Sequence, residues 1–288
     1  MSRALLIDAG NSRVKWAFAE TAAPHARTAH AEPNATRTIA SGVFDHGDEA
    51  AQRARLASLG RPARAVISNV AGPDAAARIR TLIEQTWPGL DCVWVRPRDR
   101  QAGVTNGYLD PTELGADRWC GMIGAHAAYP GEHLLIATLG TATTFEAVRA
   151  DGLFAGGLIA PGWTLMMNAL GQRTAQLPTL DAEDATKLIR SMDAAEHHRG
   201  AFACDTRTSL SEGCRAAQTA LIEYAWREAR ILFDGDVRCI VGGGAADAVG
   251  AALRVPFTRH DGLVLEGLLW IACEAASADA ESGDREPR

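Results

Sequence analysis

Lysine is almost missing from this chain: of its 29 positive residues only Lys15 and Lys187 are lysine, the rest being arginine. Positive charge is also outnumbered, and 35 acidic residues leave a formal net charge of −6. No field of the whole molecule would therefore gather a nucleic-acid backbone or an anionic membrane, and an anionic ligand must be held by local geometry. The six cysteines, at 92, 120, 204, 214, 239 and 273, form no Cys-x-x-Cys pair. They suit scattered reduced thiols better than a zinc site or a disulfide framework. No window approaches the ~18 apolar residues of a membrane helix, since the most apolar late stretch, 262–273, carries Glu266. The opening apolar run stops at Asp8, short of a secretory signal core. The expectation is a cytoplasmic protein without nucleic-acid or membrane partners.

What is present is enough apolar residue for two ordinary cores: 47% of 288 residues are hydrophobic. Strand patterns at 3–8, 13–19 and 38–43 precede a helix at 47–58, a strand at 65–70, an amphipathic helix ending near Trp87-Pro88, and a strand at 91–95. A loop at 96–110 and a helix at 112–129 follow. The pattern then restarts with strands at 132–140, 143–148 and 153–160, helices at 162–172 and 207–232, a strand at 238–244 and a helix at 261–276. Laying Gly10 on Gly140, an offset of 130, aligns Leu5-Leu6-Ile7-Asp8-Ala9-Gly10-Asn11 with Leu135-Ile136-Ala137-Thr138-Leu139-Gly140-Thr141. This predicts a duplicated α/β domain with one glycine turn per half.

The chemistry belongs on those turns. In Asp8-Ala9-Gly10-Asn11-Ser12 a strand delivers a carboxylate and turns sharply, so that successive backbone N–H groups can cradle a phosphate, with Asn11 and Ser12 adding side-chain donors. Gly140-Thr141-Ala142-Thr143-Thr144 repeats the recipe, and two facing turns of this kind would clamp a polyphosphate. Either turn alone reads more simply as a plain hairpin turn, and the duplication is what favours the phosphate reading. Lys15, an ammonium in a chain that otherwise uses arginine, can reach a terminal phosphate or stand as a solvated strand residue.

The segments DAGNSRVKWA at 8–17, NGYLDPTELGADRW at 106–119, LGTATTFEAV at 139–148, FAGGLIAPG at 154–162 and VGGGA at 241–245 resemble, in order and spacing, those of type III pantothenate kinases. The resemblance covers nearly the whole chain, and the NGY…GADRW block is its specific signature. It implies the acetate-kinase/sugar-kinase/Hsp70/actin superfamily fold: duplicated ribonuclease H-like domains, each a mixed five-stranded sheet with flanking helices. The expected division is 1–120, 121–276 and a disordered tail at 277–288. It further implies ATP-dependent phosphorylation of pantothenate, the first step to coenzyme A, by a homodimer. Carried over by position, Asp8, Ala9, Gly10, Asn11, Ser12, Arg13, Val14 and Lys15 form the first phosphate motif, with Asp8 near magnesium and its waters. Thr141 contacts ATP, and Gly242-Gly243-Gly244 lie toward adenosine. Gly115, Ala116, Asp117 and Arg118 form the pantothenate motif with Asp117 as general base, joined by Tyr108 and Thr206.

Two positions depart from the family's pattern. Thr138 stands where an aspartate commonly binds a monovalent cation such as potassium or ammonium, and a hydroxyl supplies no charge, so the cation requirement is weakened or altered. Glu146 replaces a later aspartate. Without the family signature, Asp117-Arg118 would read as a surface ion pair at a helix start. Two other functions share the fold: a regulatory protein that has lost the chemistry, and a kinase of a sugar or another small alcohol. Retained Asp8, Lys15 and Asp117 oppose the first, and the NGY…GADRW block opposes the second. His197-His198 has no partner at ligand spacing, and Asp181, Glu183 and Asp184 read as a solvated helix start.

Overall fold

The computed structural model describes residues 2–21, 38–44, 49–193 and 202–283. His197-His198 and most of the 21–37 loop lie outside them. Strands β1 (Ser2–Ala9) and β2 (Val14–Thr21) pair antiparallel from Ser2↔Thr21 to Ala9↔Val14. The alternation buries Leu5, Ile7, Trp16 and Phe18 in one core with Ile67, Ile79 and Ile83. β3 (Thr38–Phe44) extends this hairpin, with Gly42 against the Trp16 indole. After α1 (Glu49–Ala57), β4 (Arg64–Asn69) returns parallel to β1, and α2 (Pro73–Thr86) crosses to β5 (Asp91–Trp94). Helix α2 starts because Gly72 turns at φ 88° and Pro73 fits the first helical turn; it buries Ala75, Ala76, Ile79, Leu82 and Ile83, one stripe at helical spacing. The sheet order is β3-β2-β1-β4-β5.

The expected 96–110 loop instead contains a short hairpin, β6 (Arg100–Gln101) and β7 (Val104–Thr105), turning through Ala102 and Gly103, both at positive φ. Two successive left-handed residues match the twist of a tight hairpin, a signal that alanine conceals. Helix α3 (Ala116–Ala128) follows a single tight turn at Pro111–Glu113.

The second sheet repeats the first. β8 (His133–Leu139) pairs antiparallel with β9 (Ala142–Val148), β10 (Phe154–Pro161) lies outside β9, and β11 (Val237–Gly242) and β12 (Thr258–Arg259) run parallel on the other flank, giving β10-β9-β8-β11-β12. Helices α4 (Trp163–Arg173), α5 (Ala182–Asp193), α6 (Thr206–Phe233) and α7 (Ala246–Gly250) belong to this half. Asp205 caps α6 by accepting the Thr208 N–H at 2.9 Å. Asp181, Glu183 and Asp184 do mark a helix start, that of α5.

The final helix, α8 (Leu263–Gly283), corrects two expectations. It continues through residues 277–283, which the tail prediction left disordered; Ala278, Ala280 and Glu281 there favour helix, and residues 284–288 lie outside the described residues. It also packs on α3, β1, β2 and β4, in the first half of the molecule. By its contacts the chain divides into Met1–Gly131, Asp151–Phe154 and Gly262–Arg288 as one unit and Glu132–Ala150 with Ala155–Asp261 as the other. The division is thus not a cut at 120/121. The cause is steric fit: a Cβ on Gly124 would strike the Leu263 carbonyl and one on Gly267 the Cys120 carbonyl, so glycines let α3 and α8 meet backbone to backbone.

Candidate active site

In the first unit, Asp8 occupies the last turn of the pleat before Gly10 and pairs with Lys15 on β2 and Ser68 on β4. Paired residues point to one face, so Lys15, Asp8 and Ser68 form a row across three strands. Gly10 N–H closes the turn on the Arg13 carbonyl at 3.1 Å, leaving Asn11, Ser12 and Arg13 exposed. Burial pushes the Asp8 carboxyl up to about 6; the Lys15 ammonium opposes this and the Asp117 charge adds to it. The two carboxylates therefore share one electrostatic environment. Beneath them the buried Cys120 thiol is driven well above its ordinary range, by burial first and by Asp8 and Asp117 next.

Asp117 stands in the first turn of α3, where its Oδ1 accepts the Arg118 N–H at 2.8 Å. The helix N-terminus favours an anion there. Gly115 makes room for it, since a Cβ at that position would lie 2.7 Å from Asp117 Oδ1. Ala116 is buried behind the turn. Arg118 is buried too, and its guanidinium lies over the rings of Tyr108 and Phe154 while Nη1 donates to the Tyr108 hydroxyl at 2.9 Å. Tyr108 and Phe154 are in ring contact, centroids 5.1 Å apart. Asp117-Arg118 is thus no surface pair, and this unit brings together Asp8, Lys15, Tyr108, Gly115, Asp117 and Arg118. Phe154 was present in a quoted segment but carried no role, because an aromatic next to glycines reads as core.

In the second unit, Gly140 N–H bonds the Ala142 carbonyl at 3.0 Å and leaves Thr141 exposed. Gly243, at φ 99°, lies so close to Leu139 that a Cβ would meet its backbone, and the Ala245 N–H donates to the Leu139 carbonyl at 3.2 Å. The Thr141 turn and the Gly242-Gly243-Gly244 turn are therefore neighbours across Leu139. Asp261 Oδ1 accepts the Gly243 N–H at 3.1 Å and Arg259 donates to both the Gly243 carbonyl and Asp261. Sequence reasoning missed this buttress, since Asp261-Gly262 reads as an ordinary helix entry. Thr138 is exposed at the end of β8, paired with Gly242 and Thr144. Thr206 is exposed at the start of α6 and beside a surface cavity lined by Leu177, Cys204 and Ser209.

Among the described residues no cluster of three or more His, Cys, Asp or Glu could hold a metal. One half-buried carboxylate with a second carboxylate nearby instead fits a magnesium ion that takes its remaining ligands from phosphate oxygens and water.

Two mixed sheets of matching order, each opening on a hairpin closed by a glycine turn, define the duplicated ribonuclease H-like, actin/Hsp70-type class of folds. A solved ROK hexokinase from Thermus thermophilus superposes with TM-score 0.50, at 13% identity over 95% of this chain and 99% of that one, a likeness of fold. Within that class the chain belongs to the type III pantothenate kinase family, whose model matches residues 4–228. It is 53% identical over 277 residues to the type III pantothenate kinase of Burkholderia lata, covering 96% of this chain and 97% of that one. It is 54% identical over 271 residues to that of Burkholderia thailandensis, covering 94% and 98%.

Proposed function

We propose that the chain transfers the γ-phosphoryl group of ATP to the primary hydroxyl of pantothenate, giving 4'-phosphopantothenate at the entry to coenzyme A biosynthesis. The observation that carries this reading is Asp117 held at a helix start beside the buried, ring-stacked Arg118, in electrostatic contact with Asp8. Phosphoryl transfer asks a protein mostly for positioning and charge neutralisation. Asp117 takes the proton of the attacking hydroxyl, its Oδ1 steadied by the Arg118 N–H. Arg118, already desolvated against Tyr108 and Phe154, offers its guanidinium to the pantothenate carboxylate, and Thr206 supplies a further substrate contact. Asp8 would hold magnesium, directly or through water, and the metal would supply charge neutralisation to the triphosphate. Lys15, Asn11, Ser12 and the backbone of Ala9, Gly10, Arg13 and Val14 receive the triphosphate. Thr141 contacts ATP from the second turn, and Gly242-Gly243-Gly244 border adenosine.

A potassium or ammonium ion at Thr138 would have hydroxyl and carbonyl ligands and no carboxylate from that position, so it should bind weakly. Exposed Leu158, Ile159, Leu165 and Leu170 on β10 and α4 are compatible with homodimer formation. Among the described residues no helix is long and apolar enough to cross a membrane.

The test is ADP release from magnesium-ATP with and without pantothenate, in potassium, ammonium and sodium buffers, with the phosphorylated product confirmed by mass. Asp117→Asn should fold and bind nucleotide yet lose about 100- to 10,000-fold in turnover, the usual worth of a general base. Full activity in that variant refutes the base. Binding of both substrates without turnover by the unaltered protein favours a regulatory role.

A further inference from the structure

Behind the second glycine turn lies a buried polar bridge that the phosphate-binding assignments leave unused. Thr143, fully enclosed on β9 two residues past Thr141, donates from Oγ1 to Gln218 Oε1 at 2.5 Å. The Gln218 amide nitrogen donates onward to the Pro161 carbonyl at 2.8 Å and lies 3.3 Å from Met166 Sδ. The amide's orientation follows from chemistry: a carbonyl only accepts, so the nitrogen faces Pro161 and the oxygen is left for the hydroxyl. The circuit then closes through the next residue, because the Gly162 N–H donates to the Thr141 carbonyl at 2.9 Å. A Cβ on Gly162 would fall on the carbonyls of Gly140 and Thr141, so no other residue permits that approach. A second tie, from the Trp163 indole N–H to the Ser211 carbonyl at 3.2 Å, fastens the start of α4 to the same helix, α6.

Gln218 is 2% exposed, on the helix whose first residue is Thr206. An apolar side chain there would demand no partners, whereas a buried amide must have them all satisfied. Such a bridge specifies position more than it adds stability. We infer that Gln218 is a positioning residue for the second phosphate turn, holding β9 and the β10–α4 junction at the spacing in which Thr141 meets the nucleotide. This rests on the reading that Thr141 contacts ATP.

Two variants and a control test it. Gln218→Met keeps length and apolar volume beside Met166 but removes donor and acceptor; KM for ATP should rise about tenfold, or 1.4 kcal/mol, with KM for pantothenate within about twofold. Thr141→Ala, measured alongside, should raise KM for ATP on its own. An unchanged ATP KM in Gln218→Met where Thr141→Ala has raised it overturns this inference alone. No effect of Thr141→Ala removes the assignment beneath it and overturns both.

Should Gln218→Met fail to fold, Gln218→Glu decides. A neutral carboxyl can reproduce both hydrogen bonds, its O–H donating to Pro161 while the other oxygen accepts from Thr143; the ionised form faces Pro161 with no donor. The ratio of its ATP KM to that of the unaltered enzyme should therefore climb several-fold from pH 6 to pH 8.5. Glu146 on β9 and the Glu212–Arg215 pair of α6 are common to both proteins and cancel in the ratio. A flat ratio, or an equal climb in the pantothenate KM, overturns the assignment.

Discussion

Replacing Asp8 by asparagine should make the ligand-free protein more stable at pH 8 while abolishing its catalysis. Burial raises the Asp8 carboxyl from 3.8 to about 6, a shift of roughly two units, and each unit corresponds to about 1.4 kcal/mol. Below pH 3.8 the group is neutral in the folded and unfolded chain alike. Between that value and about 6 the unfolded chain loses its proton first, so it binds fewer protons than the folded one and stability falls as pH rises. Above about pH 6 the loss is complete, at about 3 kcal/mol. Asparagine carries no charge and escapes that loss. Urea unfolding followed by tryptophan fluorescence, Trp16 and Trp119 being fully buried in the same unit, should show a gap of up to about 3 kcal/mol between the two proteins at pH 8. The gap should shrink toward zero near pH 4. Titrating groups that do not interact with Asp8 are shared and cancel in the difference, while the Lys15 and Asp117 charges are already counted in the Asp8 value. Magnesium-ATP should then restore the unaltered protein selectively, because it offsets the buried charge. A gap independent of pH, or an asparagine variant less stable at pH 8, would refute the reasoning.

Gly267→Ala should force α3 and α8 apart at the Cys120 carbonyl, cost about 1–3 kcal/mol or more as an overpacked contact, and lower kcat because α3 carries Asp117; an unchanged melting temperature would contradict the backbone contact. Tyr108→Phe removes the hydroxyl that Arg118 Nη1 meets at 2.9 Å, a loss of about 1 kcal/mol, and should raise KM for pantothenate about fivefold with KM for ATP unmoved. If the ATP value shifts instead, Arg118 serves the nucleotide. Thr138→Asp should lower the potassium concentration that half-saturates activity, and identical potassium curves would remove the cation from the end of β8.

Much of the architecture was legible because it is written twice. The 130-residue offset aligned β1 with β8 before any pairing was known, and the unbroken apolar run Ala4–Ile7 marked β1 as a strand covered on both faces. What was not legible depends on contacts far apart in sequence. Helix α8 is apolar around most of its circumference, a pattern that announces burial but not against which sheet, so its return to the first unit stayed hidden. The site divides in the same way. Asp8, Asp117, Arg118 and Tyr108 stood out in short segments, whereas Gln218, Phe154 and the Arg259–Asp261 support for Gly243 act across folded distance and leave no local signature. Ala102 concealed a hairpin for the opposite reason, adopting a backbone conformation its residue type seldom signals.

The return of α8 has a consequence for the order in which the molecule can be made. A ribosome delivers β1 to α3 first, but the helix that covers them starts at Leu263. Residues 132–261, apart from the short 151–154 excursion, have by then emerged and can close their own sheet. The half that is synthesised first must therefore wait, with the faces of α3, β1, β2 and β4 that receive α8 uncovered, until the last tenth of the chain leaves the exit tunnel. Nascent chains stopped before Leu263 should consequently lean on chaperones for the first unit alone.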